Sequence, residues 1–291
     1  LPKKEEKIIS YTRRVEVQPA PVFLTYPSVS EIDVLLNQVK NDNEALYAFT
    51  TSSGNEHTIW QLKDESALTQ LNTIFEEKVP KLYIADGHHR AASALRWAKL
   101  RRATNPSHTG KEAYNYFFSV FFSSNQIDIV DYNRVVKDLN GNTKEELIQK
   151  ISHFFEVKSV NSDFKPSQYH EIGMYINKEC YALVPKEGIY NEASVVDSLD
   201  VSILQDNLLS PILGINDPRT DKRIDFVSGR EGFEGIKVRV DSGEFEVAFT
   251  LFPVSIKQFF DIADSGNIMP PKSTWFEPKL RTGVIVRRIE A

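Results

Sequence analysis

Apolar residues along the chain fall into two periods. At three- and four-residue spacing stand Ile32, Leu35, Leu36 and Val39, introduced by Ser28-Val29-Ser30-Glu31, which has the Ser-x-x-Glu spacing of a helix capping box. Leu68, Leu71, Ile74 and Phe75 repeat in the same way behind Asp64 and Ser66, predicting a helix over 65–77 closed by Pro80. A second box, Thr143-Lys144-Glu145-Glu146, leads into Leu147, Ile148, Ile151, Phe154 and Phe155, and Ser255 is placed to cap a helix ending at Gly266. Residues 200–209 read as helical up to Pro211, and 88–103 form an Ala-rich segment of high helix propensity. The β-prone runs are 45–50 and 57–62, a hairpin around Thr51-Ser52-Ser53-Gly54-Asn55, then 81–85, 116–123, 157–160, 171–176 and 180–184. Residues 237–240 and 244–252 flank Asp241-Ser242-Gly243 as a further predicted hairpin, Gly229, Gly232 and Gly235 read as turns, and 283–288 is the last strand. Helices and strands mix without strict βαβ alternation, so the expected class is α+β, divided near residue 125 into 1–125 and a strand-rich 126–291.

Composition narrows the function classes. At 41% hydrophobic and 26% charged residues the chain belongs with folded proteins, and its longest apolar stretch, 116–122, falls far short of the about 20 residues that cross a bilayer, so no membrane partner is expected. The single cysteine, Cys180, lies among alternating apolar residues and has no partner for an intrachain disulfide, which points to a reducing, cytoplasmic setting. The opening residues are charged and carry no secretory signal, although the first is Leu and not Met. A net charge of −5, from 35 basic and 40 acidic residues, gives no overall attraction to nucleic acid.

The densest chemistry is Asp86-Gly87-His88-His89-Arg90, a strand end followed by a glycine turn and the start of the Ala-rich helix. A helix start has backbone amides without partners and partial positive charge, so it receives a phosphate oxygen. Gly87 allows a tight turn and close approach, Arg90 can grip phosphate with two donors, and His88 or His89 can donate a hydrogen bond or move a proton. Asp86 is suited to cap the helix, hold Mg²⁺ or accept a proton from a hydroxyl. The plain alternative is a capped turn with two solvated histidines. Zinc is a poor fit, because adjacent helical residues point about 100° apart and the remaining histidines show no ligand spacing. A second polar loop, 267–279, offers Lys272, Ser273, Thr274 and Lys279 behind Pro270-Pro271; it reads equally well as a stiff surface loop anchored by Trp275 and Phe276.

Ile84-Ala85-Asp86-Gly87-His88-His89-Arg90 with its Ala-rich helix resembles the signature of the bacterial domain of unknown function 1015 family. So do Met269-Pro270-Pro271-Lys272-Ser273-Thr274, Pro21-Val22-Phe23-Leu24-Thr25-Tyr26-Pro27 and Leu199-Asp200-Val201-Ser202-Ile203-Leu204. Asn133 and Gln205 stand where the family pattern has His, and the resemblance implies a further segment before Leu1. The Gly-His-His-Arg element is in turn similar to the phosphate-binding signature of the ParB/sulfiredoxin superfamily, including partition proteins, sulfiredoxins and ADP-dependent free serine kinases. That resemblance implies a ParB/sulfiredoxin-like nucleotide-binding core with Gly87, His89 and Arg90 on the phosphates. His88 takes the place of the sulfiredoxin cysteine, which removes thiol chemistry.

The expected function is nucleotide binding with phosphoryl transfer from ATP or ADP, with Mg²⁺, to a small hydroxyl-bearing metabolite. In it Asp86, also the metal ligand, His88 and Lys272 are catalytic, Gly87, His89, Arg90, Ser273, Thr274 and Lys279 hold the nucleotide, and the loop 267–279 returns to the site. The rivals are a non-catalytic nucleotide sensor, a phosphoester hydrolase and, against the charge balance, a DNA-binding protein.

Overall fold

The computed structural model describes residues 2–161 and 163–289. The chain divides into two compact units, Leu1–Ile127 with Lys279–Ala291, and Asp128–Pro278. It is a mixed α+β structure with several separate sheets. No helix among the described residues is long and apolar enough to cross a membrane.

The first unit opens with α1 (Pro2–Val15) and the short β1 (Val17–Gln18), then runs through β2 (Val22–Tyr26), α2 (Ser30–Asp42), β3 (Tyr47–Thr50), β4 (Glu56–Ile59), α3 (Glu65–Lys78), β5 (Tyr83–Asp86), α4 (His88–Thr104) and β6 (Ser119–Ser123). β2 lies between an antiparallel β5 and a parallel β6, and all five of its residues are buried. Its run is apolar except for Thr25, close to what a central strand covered on both faces requires. α2 and α3 pack together through Ile32, Leu35 and Ile74 against Tyr26, while α1 lies along α4. Residues 279–291 group with this unit, whereas the second domain was expected to run to 291. The strand Arg287–Arg288 pairs with β1, and Ile289 buries beside Trp97 and Tyr114. The expected strand over 283–288 is confined to those two residues.

The second unit contains β7 (Asp128–Val130), β8 (Tyr132–Val136), α5 (Lys144–Ile151), β9 (Phe155–Val160), β10 (Ile172–Ile176), β11 (Glu179–Pro185), α6 (Asp200–Leu204), β12 (Ile224–Ser228), α7 (Gly232–Asp241), β13 (Val247–Leu251), α8 (Ile256–Asp264) and β14 (Trp275–Glu277). Its six-stranded antiparallel sheet has the order β12-β8-β13-β10-β11-β9. Alternate residues serve two cores. Ile172, Met174, Leu183, Val247 and Phe249 join Leu147 and Ile151 of α5 and Leu204 of α6, while Val135, Tyr175, Cys180 and Ala248 face Ile236 and Val240 of α7. Cys180 is thus a buried free thiol packed as a small hydrophobe.

Three expectations of local structure are corrected. Gly235 lies within α7 and not at a turn. Residues 237–240 belong to α7 and not to a hairpin; Ile236 and Val240 are one turn apart and buried while Val238 is exposed, which is the helical period. Gly243, at φ 78°, ends that helix and donates to the Val240 carbonyl at 3.0 Å. Ser28 does not cap α2, which has Val29 at its N-cap with no side-chain bond. The Ser28 amide and hydroxyl meet Ser124 Oγ at 3.1 Å, and Glu31 pairs with Lys78 of α3. The boxes at Thr143 and Ser255 do form, as does the Asp64 cap of α3.

Candidate functional site

The site begins where β5 runs out. Gly87 is the N-cap of α4 at φ 95°, ψ 25°, a left-handed conformation that side chains disfavour, and no side chain caps the helix. The first intrahelical bond of α4 is Ala91 N–H to the Gly87 carbonyl at 3.0 Å, so the amides of His88, His89 and Arg90 precede the ladder. The first turn holds no acidic residue, and it carries two histidines and an arginine where a helix is stabilised by negative charge. This local choice works against the helix and in favour of an anion.

Asp86 does not cap α4, contrary to one of its expected roles. Its Oδ2 accepts from Arg90 Nη2 at 3.2 Å, which swings the guanidinium back over Gly87; a Cβ built there would lie 2.7 Å from Nη2. The pair is open to solvent, at 34% and 59% side-chain exposure, so it is worth at most about 1 kcal/mol and a phosphate oxygen can take the place of the carboxylate. Arg90 Nε, in contrast, is buried without a hydrogen-bond acceptor.

Burial holds the His88 imidazole below its ordinary pKa, with the charge of Asp86 opposing and His89 adding to the shift. The shift biases His88 toward its neutral form. His89 Nδ1 lies 3.7 Å from Glu5 Oε1 of α1. Glu5 was missed at the level of sequence, where the opening residues registered only as charged; the helical spacing of Ile8, Ile9 and Thr12 behind it was the available signal. Among the described residues no group of three or more His, Cys, Asp or Glu is arranged to hold a metal ion. Asp86 offers one carboxylate, enough for a Mg²⁺ that arrives mostly ligated by phosphate and water.

The other expected site residues divide between the units. Lys279 is exposed in the first. In the second, Lys272, at φ 57°, sets its ammonium 5.2 Å from the Tyr132 ring centre and 5.5 Å from that of Phe226, and donates to the Tyr132 hydroxyl at 3.2 Å. Its carbonyl accepts from Arg134 Nη2 at 2.9 Å. Ser273 is buried, and its hydroxyl donates to the Pro270 carbonyl at 2.7 Å, which commits it to fixing the loop; Thr274 is half-buried beside it. The two departures from the family pattern are absorbed as structure. Asn133 donates to Asp131 at 2.5 Å and accepts from the Leu251 amide at 3.0 Å, and Gln205 donates to the Ile215 carbonyl at 2.7 Å.

A family described as Protein of unknown function (DUF1015) matches residues 1–202. The chain belongs to that family. No curated protein matches the sequence. Among solved structures, the chain is similar to a free serine kinase in complex with AMP, at 11% identity and a TM-score of 0.47, covering 100% of this chain and 85% of that one. It is also similar to a conserved hypothetical protein from Pyrococcus furiosus, at 13%, 0.46, 99% and 88%. SbnI with a C-terminal truncation from Staphylococcus aureus is a further match, at 12%, 0.46, 97% and 78%. Similarity at this level concerns the course of the chain and carries nothing about chemistry.

Proposed function

We propose that this protein binds a nucleotide by its phosphates at the start of α4 and transfers a phosphoryl group to a small hydroxyl-bearing metabolite. The observation that carries the reading is the Gly87 turn. A left-handed glycine opens a helix whose first three amides lack intrahelical partners, with the Arg90 guanidinium folded over it and held only by an exposed carboxylate. His89 and Arg90 then hold phosphate oxygens, and release of Asp86 from Arg90 leaves its carboxylate for Mg²⁺ or the acceptor hydroxyl. A Mg²⁺ bound there would neutralise phosphate charge. In transfer, the acceptor oxygen bonds to the terminal phosphorus as the bond to the bridging oxygen breaks; the hydroxyl proton passes to neutral His88, and the departing nucleotide keeps the bonding electrons. Lys272, the proposed stabiliser of developing charge, and the nucleotide contacts assigned to Thr274 and Lys279 are separate parts of the proposal, each tested by its own alanine variant.

A second reading, a nucleotide sensor without turnover, is favoured by the engagement of Asp86 with Arg90, since a paired carboxylate is a poor base. The deciding experiment is a thermal-shift series with ATP, ADP and AMP on wild type and Arg90→Ala, followed by single turnover with labelled nucleotide and a metabolite pool. At a nucleotide concentration of 100 times Kd, stabilisation is about 2.7 kcal/mol, and it should vanish in Arg90→Ala. Equal shifts in both proteins would sink phosphate binding at this turn, and bound but unchanged nucleotide would leave only the sensor.

A further inference from the structure

Beside the phosphate turn, within the first unit, lies a cavity of about 310 Å³ bordered by α1, α4 and the start of β2. Ligand cavities begin at about 300 Å³, so its size admits a small organic molecule. Three lining residues of α4 share one face at spacings of three and four, and each leaves a polar atom buried without a partner: Arg90 Nε, Ser93 Oγ and Trp97 Nε1. Ser93 is 2% exposed and Trp97 9%. Arg Nε–H and Trp Nε1–H can only donate, so what completes them must present acceptors. Buried donors are otherwise nearly always paired, and three along one helix face beside one cavity describe an unfilled recognition surface.

The rest of the lining says what kind of acceptor. Its charged members are Lys7 and Arg90, both cationic, and it includes no carboxylate. Tyr11 and Phe117, 51% and 41% exposed, belong to the same wall, so large aromatic rings face both the cavity and water. An aromatic wall takes flat rings by stacking, and cations at one side orient an anionic tail. Along α4, Ser93 lies about 4.5 Å and Trp97 about 10 Å beyond Arg90. That places phosphate, sugar and base at successive turns of one helix, the interval of about 6 Å from Ser93 to Trp97 being the reach from a sugar to a nitrogen acceptor on the far ring of a bicyclic base.

We propose that this cavity is the nucleoside subsite, taking a purine base against Trp97 and the aromatic wall with the sugar at Ser93 and the phosphates leading out past Arg90. The inference rests on the nucleotide reading of the Gly87 turn and adds to it where the base and sugar sit and which residues select them.

Calorimetric titration of the full chain with adenosine, ADP, tripolyphosphate and octanoate separates the two. The expected result is that adenosine binds without any phosphate. Trp97→Phe, which keeps a ring and removes the N–H, should weaken adenosine and ADP at least tenfold while leaving tripolyphosphate unchanged. Tyr11→Ala, at an exposed position, should weaken the same two ligands and serves if Trp97→Phe fails to fold. ADP and tripolyphosphate binding alike, with neither variant affecting either, would overturn the nucleoside subsite and leave the phosphate turn standing. Adenosine binding with no response to ADP or tripolyphosphate would uphold the subsite and sink the turn. Octanoate binding in place of adenosine would make this an acyl cavity and overturn the inference.

Discussion

The two units treat their buried polar groups in opposite ways. In the second, Asn133 is held between Asp131 and the Leu251 amide, and Arg134 donates to the carbonyls of Tyr132 and Lys272. Burial lowers the Arg134 pKa to about 9, which still leaves it charged at neutral pH, and the carbonyl oxygens around it answer that charge. In the first unit, Arg90, Ser93 and Trp97 are left open along one face of α4. Side chains that satisfy one another specify a fold. Donors left unsatisfied beside a cavity are of the kind a ligand completes, which is why the proposed recognition site falls in the first unit.

Phe249 is fully buried in the central strand β13 and packs in the larger core of the second unit. Phe249→Ala is expected to lower unfolding free energy by about 3–5 kcal/mol in urea titration. A loss below about 1 kcal/mol would show that this core is not the source of the unit's stability.

Two described side chains of the second unit depart from this pattern, Thr250, whose Oγ1 is buried without a partner, and Asp200. Its Oδ1 accepts from the His170 amide at 2.9 Å, but Oδ2 is buried without a partner, and burial raises its pKa from 3.8 to about 6 against the hydrogen bond and charge of His170. Because the folded value lies above the unfolded one, the contribution of Asp200 to stability is fully present below pH 4 and is lost as pH rises through about 6. The difference in unfolding free energy between wild type and Asp200→Asn should therefore change by roughly 2 kcal/mol between pH 4 and pH 7.5. Parallel pH profiles for the two proteins would show that Asp200 is not the buried acid described.

What sequence could deliver here follows from how local each cause is. The boxes at Thr143 and Ser255 and the cap at Asp64 need only four residues, and all form. The box at Ser28 has the same spacing and fails because Ser124 and Lys78, remote in sequence, draw its two members away. Residues 237–240 read as a strand because Val238 and Val240 alternate ahead of Asp241-Ser242-Gly243, and only burial of Ile236 and Val240 with Val238 exposed reveals the helical period. At the candidate site the Gly87 turn into α4 was legible, since glycine and a helix start announce themselves locally. The Asp86–Arg90 pair and the shared face of Arg90, Ser93 and Trp97 follow from spacings of three and four residues, whereas the approach of Glu5 to His89 and the cavity itself depend on α1 and β2 folding against α4, which no spacing in the sequence encodes.

The smallest expected effect on stability is also the most informative about the turn itself. At φ 95° Gly87 occupies backbone space that an L-residue enters at a cost of about 1–2 kcal/mol, so Gly87→Ala should lower unfolding free energy by about that amount. The added methyl meets Arg90 at 2.7 Å from Nη2 and 2.9 Å from Nε, and the guanidinium, as the flexible partner, must leave its position over the turn. Tripolyphosphate binding should fall much further than stability does, by at least tenfold in titration, because the methyl both displaces Arg90 and stands where a phosphate oxygen approaches the amides. A variant that loses stability as stated and binds tripolyphosphate as tightly as wild type would mean that the left-handed turn exists for the chain reversal alone, and the difference drawn between the two units would no longer concern recognition.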